Sequence, residues 1–214
     1  MGAGVCGTAG VNATTPEAEL LDDMARQRGA PSSTVEPPIG KLGRVSEPLT
    51  AKDGSTYLIF LPPRWTAAAK SNPVLLFLHG VGGINNASGC ANPGLTTQFP
   101  LNDAEYVATL EHIVLVPVAA KRDWRHHFAS AMLLLDMTLA DLGGDPNRVA
   151  LAGQGMGGQG AWQFAALTPE RFCAVVVICG WVDERNGDVV PREIVESLKA
   201  IPIWALCVRA LHTS

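Results

Sequence analysis

Gly153-Gln154-Gly155-Met156-Gly157-Gly158 is the stretch that decides how this chain folds. It follows the apolar run Val149 to Ala152 and precedes Gly158 to Leu167, a helical run that ends before Pro169. A strand, a tight glycine turn and a helix make the layout of a nucleophile elbow, G-x-S-x-G. There a strained central residue is presented at a strand end, and small residues two before and two after let the backbones approach. Both flanking glycines, Gly153 and Gly157, are in place, but Gly155 occupies the centre where the attacking serine belongs. The turn is specified and its hydroxyl is not.

Working outward, Val74 to Leu78 and Ile113 to Val116 are short, unbroken apolar runs, the pattern of strands buried on both faces of a parallel sheet. Phe128 to Leu142 is helical, with Met132, Leu135 and Leu139 on one stripe and Gly143-Gly144 as its stop. Phe172 to Cys179 reads as another buried strand, Arg192 to Lys199 as a helix, and Ile201 to Val208 as a last strand. Asp53-Gly54 joins residues 43–50 to Ser55–Leu61 as a hairpin. Strands alternating with helices imply an α/β fold, a mostly parallel sheet with right-handed crossovers and helices on both faces. Upstream, residues 16–28 form a short amphipathic helix and Pro31 to Gly40 a linker, so residues 1–41 are an N-terminal appendage.

The first strand of the pair ends in His79-Gly80-Val81-Gly82-Gly83. A glycine loop after one strand and an elbow after another supply an oxyanion hole from two backbone N–H groups, Met156 after the nucleophile position and Val81 in the loop. Such donors survive the loss of a serine.

With 214 residues the chain is long enough for one domain with a full core. Hydrophobic residues make up 47% and charged residues 17%, and the formal charge of −4 offers no basic field, which excludes nucleic acid as the expected partner. No run approaches the roughly 18 apolar residues of a membrane span, and the N-terminus lacks the basic and apolar regions of a secretory signal. The five cysteines are odd in number and mostly within apolar runs, which suits buried thiols in a reducing, cytoplasmic setting. His126 and His127 are adjacent, so they point in different directions and make a poor metal pair. No metal or organic cofactor is expected.

These residues, together with Pro117, Trp124 and Asp145-Pro146-Asn147-Arg148, resemble the α/β-hydrolase superfamily. Within it the likeness is to the carboxylesterase branch of feruloyl and acetylxylan esterases and polyhydroxybutyrate depolymerase-like proteins. Met156-Gly157-Gly158-Gln159-Gly160-Ala161-Trp162, Pro169-Glu170-Arg171-Phe172 and Cys179-Gly180 match that branch's pattern after the elbow, and the resemblance covers roughly residues 55–205. It implies a small ester or carboxylate as ligand, a loop-supporting role for His79, and Trp124 and Trp181 as candidate pocket walls. Members hydrolyse esters through an acyl-serine intermediate.

Two departures follow. Gly155 supplies no nucleophile, and neither does Gln154. The family's strand equivalent to Ile203–Leu206 runs into H-G-x-x-D, with a catalytic histidine later, whereas here Cys207-Val208-Arg209 follows. The expectation is a truncated hydrolase domain over residues 42–214, lacking the last strand and helix, with Asp183 as the one candidate acid and His212 poorly placed to partner it. Losing a nucleophile costs about a millionfold in turnover. Three readings stay open: an incomplete copy of an active esterase, a non-catalytic binder of esters or carboxylates, and a fragment without a molecular function. An apolar edge at Ile203–Val208 would also favour self-association.

Overall fold

A computed structural model describes residues 42–90, 99–101, 103–181, 196 and 198–207. The expected helix over 16–28, Asp183, His212 and most of the expected helix Arg192 to Lys199 lie outside the described residues.

The sheet has seven strands: β1 (Leu49–Thr50), β2 (Thr56–Phe60), β3 (Asn72–Leu78), β4 (Ile113–Pro117), β5 (Gly144–Gln154), β6 (Ala174–Ile178) and β7 (Ile203–Leu206). Their spatial order is β1-β2-β4-β3-β5-β6-β7. β1 and β2 form the expected antiparallel hairpin, with Gly54 at φ +84 in the turn and Ala51 N–H donating to the Ser55 carbonyl. β2 is antiparallel to β4, and the five strands from β4 to β7 are mutually parallel.

Among the described residues three helices carry the crossovers from β3 to β4, β4 to β5 and β5 to β6: α1 (Ala104–Thr109), α2 (Phe128–Asp141) and α3 (Met156–Leu167). The step from β3 to β4 runs one way along the sheet, and the steps to β5, β6 and β7 run the other. Right-handed crossovers therefore put α1 on one face and α2 and α3 on the other. Leu58, Phe60, Phe77, Val114, Val116 and Ala152 form one buried layer with Val107 of α1. The opposite layer is closed by Phe128, Met132 and Leu135 of α2 and Ala161 and Phe164 of α3, with the Phe128 and Phe164 rings edge to face at 4.9 Å. This is an α/β fold, a mostly parallel sheet with helices on both faces, as the strand pattern implied.

The start of β5 and the burial of the cysteines differ from the sequence reading. β5 begins at Gly144, five residues before the apolar run, because Gly144 pairs with Asn72 and the register then jumps to Val74 opposite Val149, looping out the Asp145 to Arg148 turn. Among the described residues, the expectation of buried thiols holds for Cys90 only, and Cys6 lies outside them. Cys173, Cys179 and Cys207 are exposed, since they sit just before β6, just after it and just after β7, where an apolar run leaves the core. No helix among the described residues is long and apolar enough to cross a membrane.

Candidate functional site: an elbow without a side chain

Leu78, Gly153 and Val177 lie side by side in the register, so β3, β5 and β6 end together at one rim of the sheet. Ligands of open α/β sheets bind outside such carboxyl ends. Gly155, between β5 and α3, sits at this rim with φ +56 and ψ −115, a conformation that L residues rarely adopt. Its N–H donates to the Ile178 carbonyl at 2.8 Å and its carbonyl accepts from Gln159 N–H at 3.0 Å. A β-carbon built on Gly155 would meet nothing within 4 Å. The turn thus has open space for a side chain at this position, on a backbone that L residues rarely adopt.

Neighbouring glycines explain how so sharp a turn is reached. A β-carbon at Gly153 would collide with the Gly157 carbonyl, and one at Gly157 with the Leu78 carbonyl. Backbone thus packs on backbone across the turn, as the motif spacing requires.

The glycine loop is brought against the elbow. The β-carbon position of Gly80 lies 3.3 Å from the Gln154 carbonyl oxygen, and Val81 to Gly83 then form a single 3-10 turn. His79 fixes this loop. It is 2% exposed, its Nδ1 donates to the Gly80 carbonyl at 2.7 Å, and its Nε2 accepts from Ala119 N–H at 2.9 Å. With one nitrogen donating and the other accepting, the ring must be neutral, and burial pushes its pKa below the ordinary histidine value. Asn85 N–H donates to the Ala119 carbonyl at 2.9 Å, so the loop is stapled to the end of β4 from two points.

Among the described residues no hydrogen bond takes the N–H of Val81 or of Met156. Val81 is half exposed, while Met156 is buried in the first turn of α3. Both amides stand at the start of a helical turn, where N–H groups lack intrahelical partners and attract negative charge.

Trp124 does not line a pocket. It is 1% exposed, with Nε1 donating to the His79 carbonyl at 3.2 Å and its ring 5.0 Å from the imidazole. Gly160 of α3 packs flush against its indole. An aromatic residue near a site reads alike from sequence whether it faces a ligand or supports the wall behind. Trp181, just beyond Gly180, is 41% exposed and remains available to a ligand. His127 accepts from Lys121 N–H through Nε2 at 3.1 Å, and among the described residues no group of three His, Cys, Asp or Glu side chains could hold a metal ion.

The sequence reading overlooked Asn85 and Ala119 as loop anchors. Asn85 holds φ +50, a conformation that asparagine tolerates better than most residues, and the Asn85-Asn86 pair after the glycines was the available signal.

No protein-family model matches the chain, and no curated protein does. Solved structures do. A thermostable esterase superposes with a TM-score of 0.57 at 19% identity, over 77% of this chain and 54% of that one. An S-formylglutathione hydrolase (FrmB) from Staphylococcus aureus gives 0.55 at 14% identity, over 79% of each chain. The fluorophosphonate-binding serine hydrolase FphF, also from Staphylococcus aureus, gives 0.56 at 12% identity, over 75% of this chain and 77% of that one. This chain thus spans about half the length of the thermostable esterase. At these identities the likeness is one of fold.

Proposed function

We propose that this chain is a hydrolase-fold protein of carboxylesterase type that binds an ester or carboxylate without cleaving it. The observation that carries this reading is Gly155 itself: the elbow retains its φ of +56 with open space above it, and no hydroxyl stands there. What the site retains is the electrostatic half of the machinery. Two backbone N–H groups, Val81 and Met156, point to a carboxylate oxygen or ester carbonyl as the ligand group, held by preorganised dipoles at low reorganisation cost. Neither ring nitrogen of His79 is spare to act as a base, since both are engaged by backbone.

The neighbours are described as an esterase, an S-formylglutathione hydrolase and a fluorophosphonate-binding serine hydrolase, and this suggests a direct test. Intact mass after incubation with a fluorophosphonate, alongside turnover of p-nitrophenyl acetate, reads the nucleophile. The expected result is no adduct and no hydrolysis above buffer. A stoichiometric adduct, or turnover that the probe abolishes, would show another residue serving as nucleophile and would overturn the proposal.

A further inference from the structure

A cavity of about 490 Å³ opens at the same rim of the sheet, and none of its lining residues belongs to the elbow or to the glycine loop. β2 is antiparallel to β4 and β4 is parallel to β3, so the start of β2 and the segment leaving β4 meet at the rim where β3 ends. Four separate stretches wall the cavity: the turn between β1 and β2, the segment after the glycine loop, the segment after β4 and the N-terminal end of α2. Its volume lies in the range of small-molecule sites.

The hydrogen-bonding capacity of this lining is uneven. The Asp53 carboxylate accepts from Ser55 N–H at 2.9 Å and from the Ser55 hydroxyl, and the Ser130 hydroxyl reaches it from the first turn of α2. Burial alone would raise the Asp53 carboxyl, but the hydrogen bonds from Ser55 and Ser130 hold it below the ordinary carboxylate value, so it is ionised at neutral pH. A serine hydroxyl has one hydrogen and two lone pairs, so both serines direct their hydrogen to Asp53 and keep the capacity to accept. Asn85 Nδ2 donates to the Ala120 carbonyl at 3.3 Å, leaving Oδ1 without a partner among the described residues. His127 is neutral because its Nε2 accepts from Lys121 N–H, which makes Nδ1–H a donor. The Thr56 hydroxyl can serve either way, and acceptors outnumber donors. Among the described residues no lysine or arginine lines the cavity. The positive end of α2, about half a charge, offsets only part of the Asp53 charge.

We propose that this cavity binds a small organic amine in its ammonium form, its N–H groups donating to the oxygens of the β1–β2 turn and Asn85. An ammonium carries three donors and no acceptor, the complement of this lining. Its charge answers Asp53, whereas an anion would be repelled. The cavity is far larger than an ammonium head, and Ala87, Val118 and Ala120 offer an apolar wall to a short carbon chain. A divalent metal is the poorer occupant, since among the described residues no three His, Cys, Asp or Glu side chains come together. The proposal is independent of the carboxylate reading of the elbow.

The test is a titration of the labelled full chain with n-butylammonium chloride at constant ionic strength, following backbone amides by NMR. The Gly54, Ser55, Asn85 and Ala120 amides should shift together and saturate. Three comparison ligands separate the contributions: tetramethylammonium has the charge without N–H donors, 1-butanol the chain without the charge, and potassium the charge without the chain. Each should bind at least about tenfold more weakly than butylammonium. Asp53→Asn, which keeps an oxygen to accept from Ser55 N–H, should also weaken butylammonium about tenfold through loss of the charge-assisted bond. The absence of a saturable shift at these residues, shifts centred elsewhere, or equal affinity for a comparison ligand would each overturn the proposal on the unaltered chain, without requiring any variant to fold. Undiminished binding by the Asn variant would overturn it too.

Discussion

Gly155 holds the backbone of a strained residue with no side chain to be strained. In an active elbow the serine bears that conformational cost. Here glycine removes it, so the chain should be more stable than a version with the hydroxyl restored. Gly155→Ala and Gly155→Ser are each expected to lower stability by about 1–3 kcal/mol while leaving the fold intact, because the space above is open. Urea denaturation reads this directly, and an unchanged or raised midpoint would mean that the turn is relaxed. The place of this turn was legible in the sequence because both flanking glycines, Gly153 and Gly157, mark it. The role of Trp124 was not, since its distinguishing feature is a hydrogen bond to the His79 carbonyl from 45 positions away.

At the scale of elements, α3 begins with glycines where helix propensity would favour alanine by about 1 kcal/mol. Packing reverses that preference. A β-carbon on Gly158 would lie 2.7 Å from the Gly180 Cα, so Gly158→Ala should destabilise the chain despite its better propensity. A rise in thermal midpoint for this variant would show that α3 stands off β6. The other expectation concerns β7, which has no strand on its outer side among the described residues and leaves Trp204 67% exposed. Self-association through this edge should be concentration-dependent and weakened by Trp204→Thr, as sedimentation velocity would show. Equal association of both forms would place the contact elsewhere. The buried strands were readable from their unbroken apolar runs. The early start of β5 was not, because Pro146 and a register jump interrupt the pattern that marks a strand.

Across the whole molecule, His79, His112 and His127 all have pKa values lowered, in each case chiefly by burial. A histidine with a depressed folded value binds its proton more readily when unfolded, so stability is complete above the ordinary value of 6.5 and falls as pH drops below it. The urea midpoint should decline from pH 7.5 towards pH 5, with a shallower slope for His127→Gln; a midpoint that rises on acidification would contradict this. The account rests most on the claim that the Val81 and Met156 amides still act as a ligand's donors although the nucleophile is absent. The most direct measurement is a titration of the labelled chain with benzoate, following every backbone amide by NMR. Val81 and Met156 should shift together and saturate with a single dissociation constant. If neither moves, or if both move only as part of a diffuse response across the surface, this rim of the sheet is not a carboxylate site.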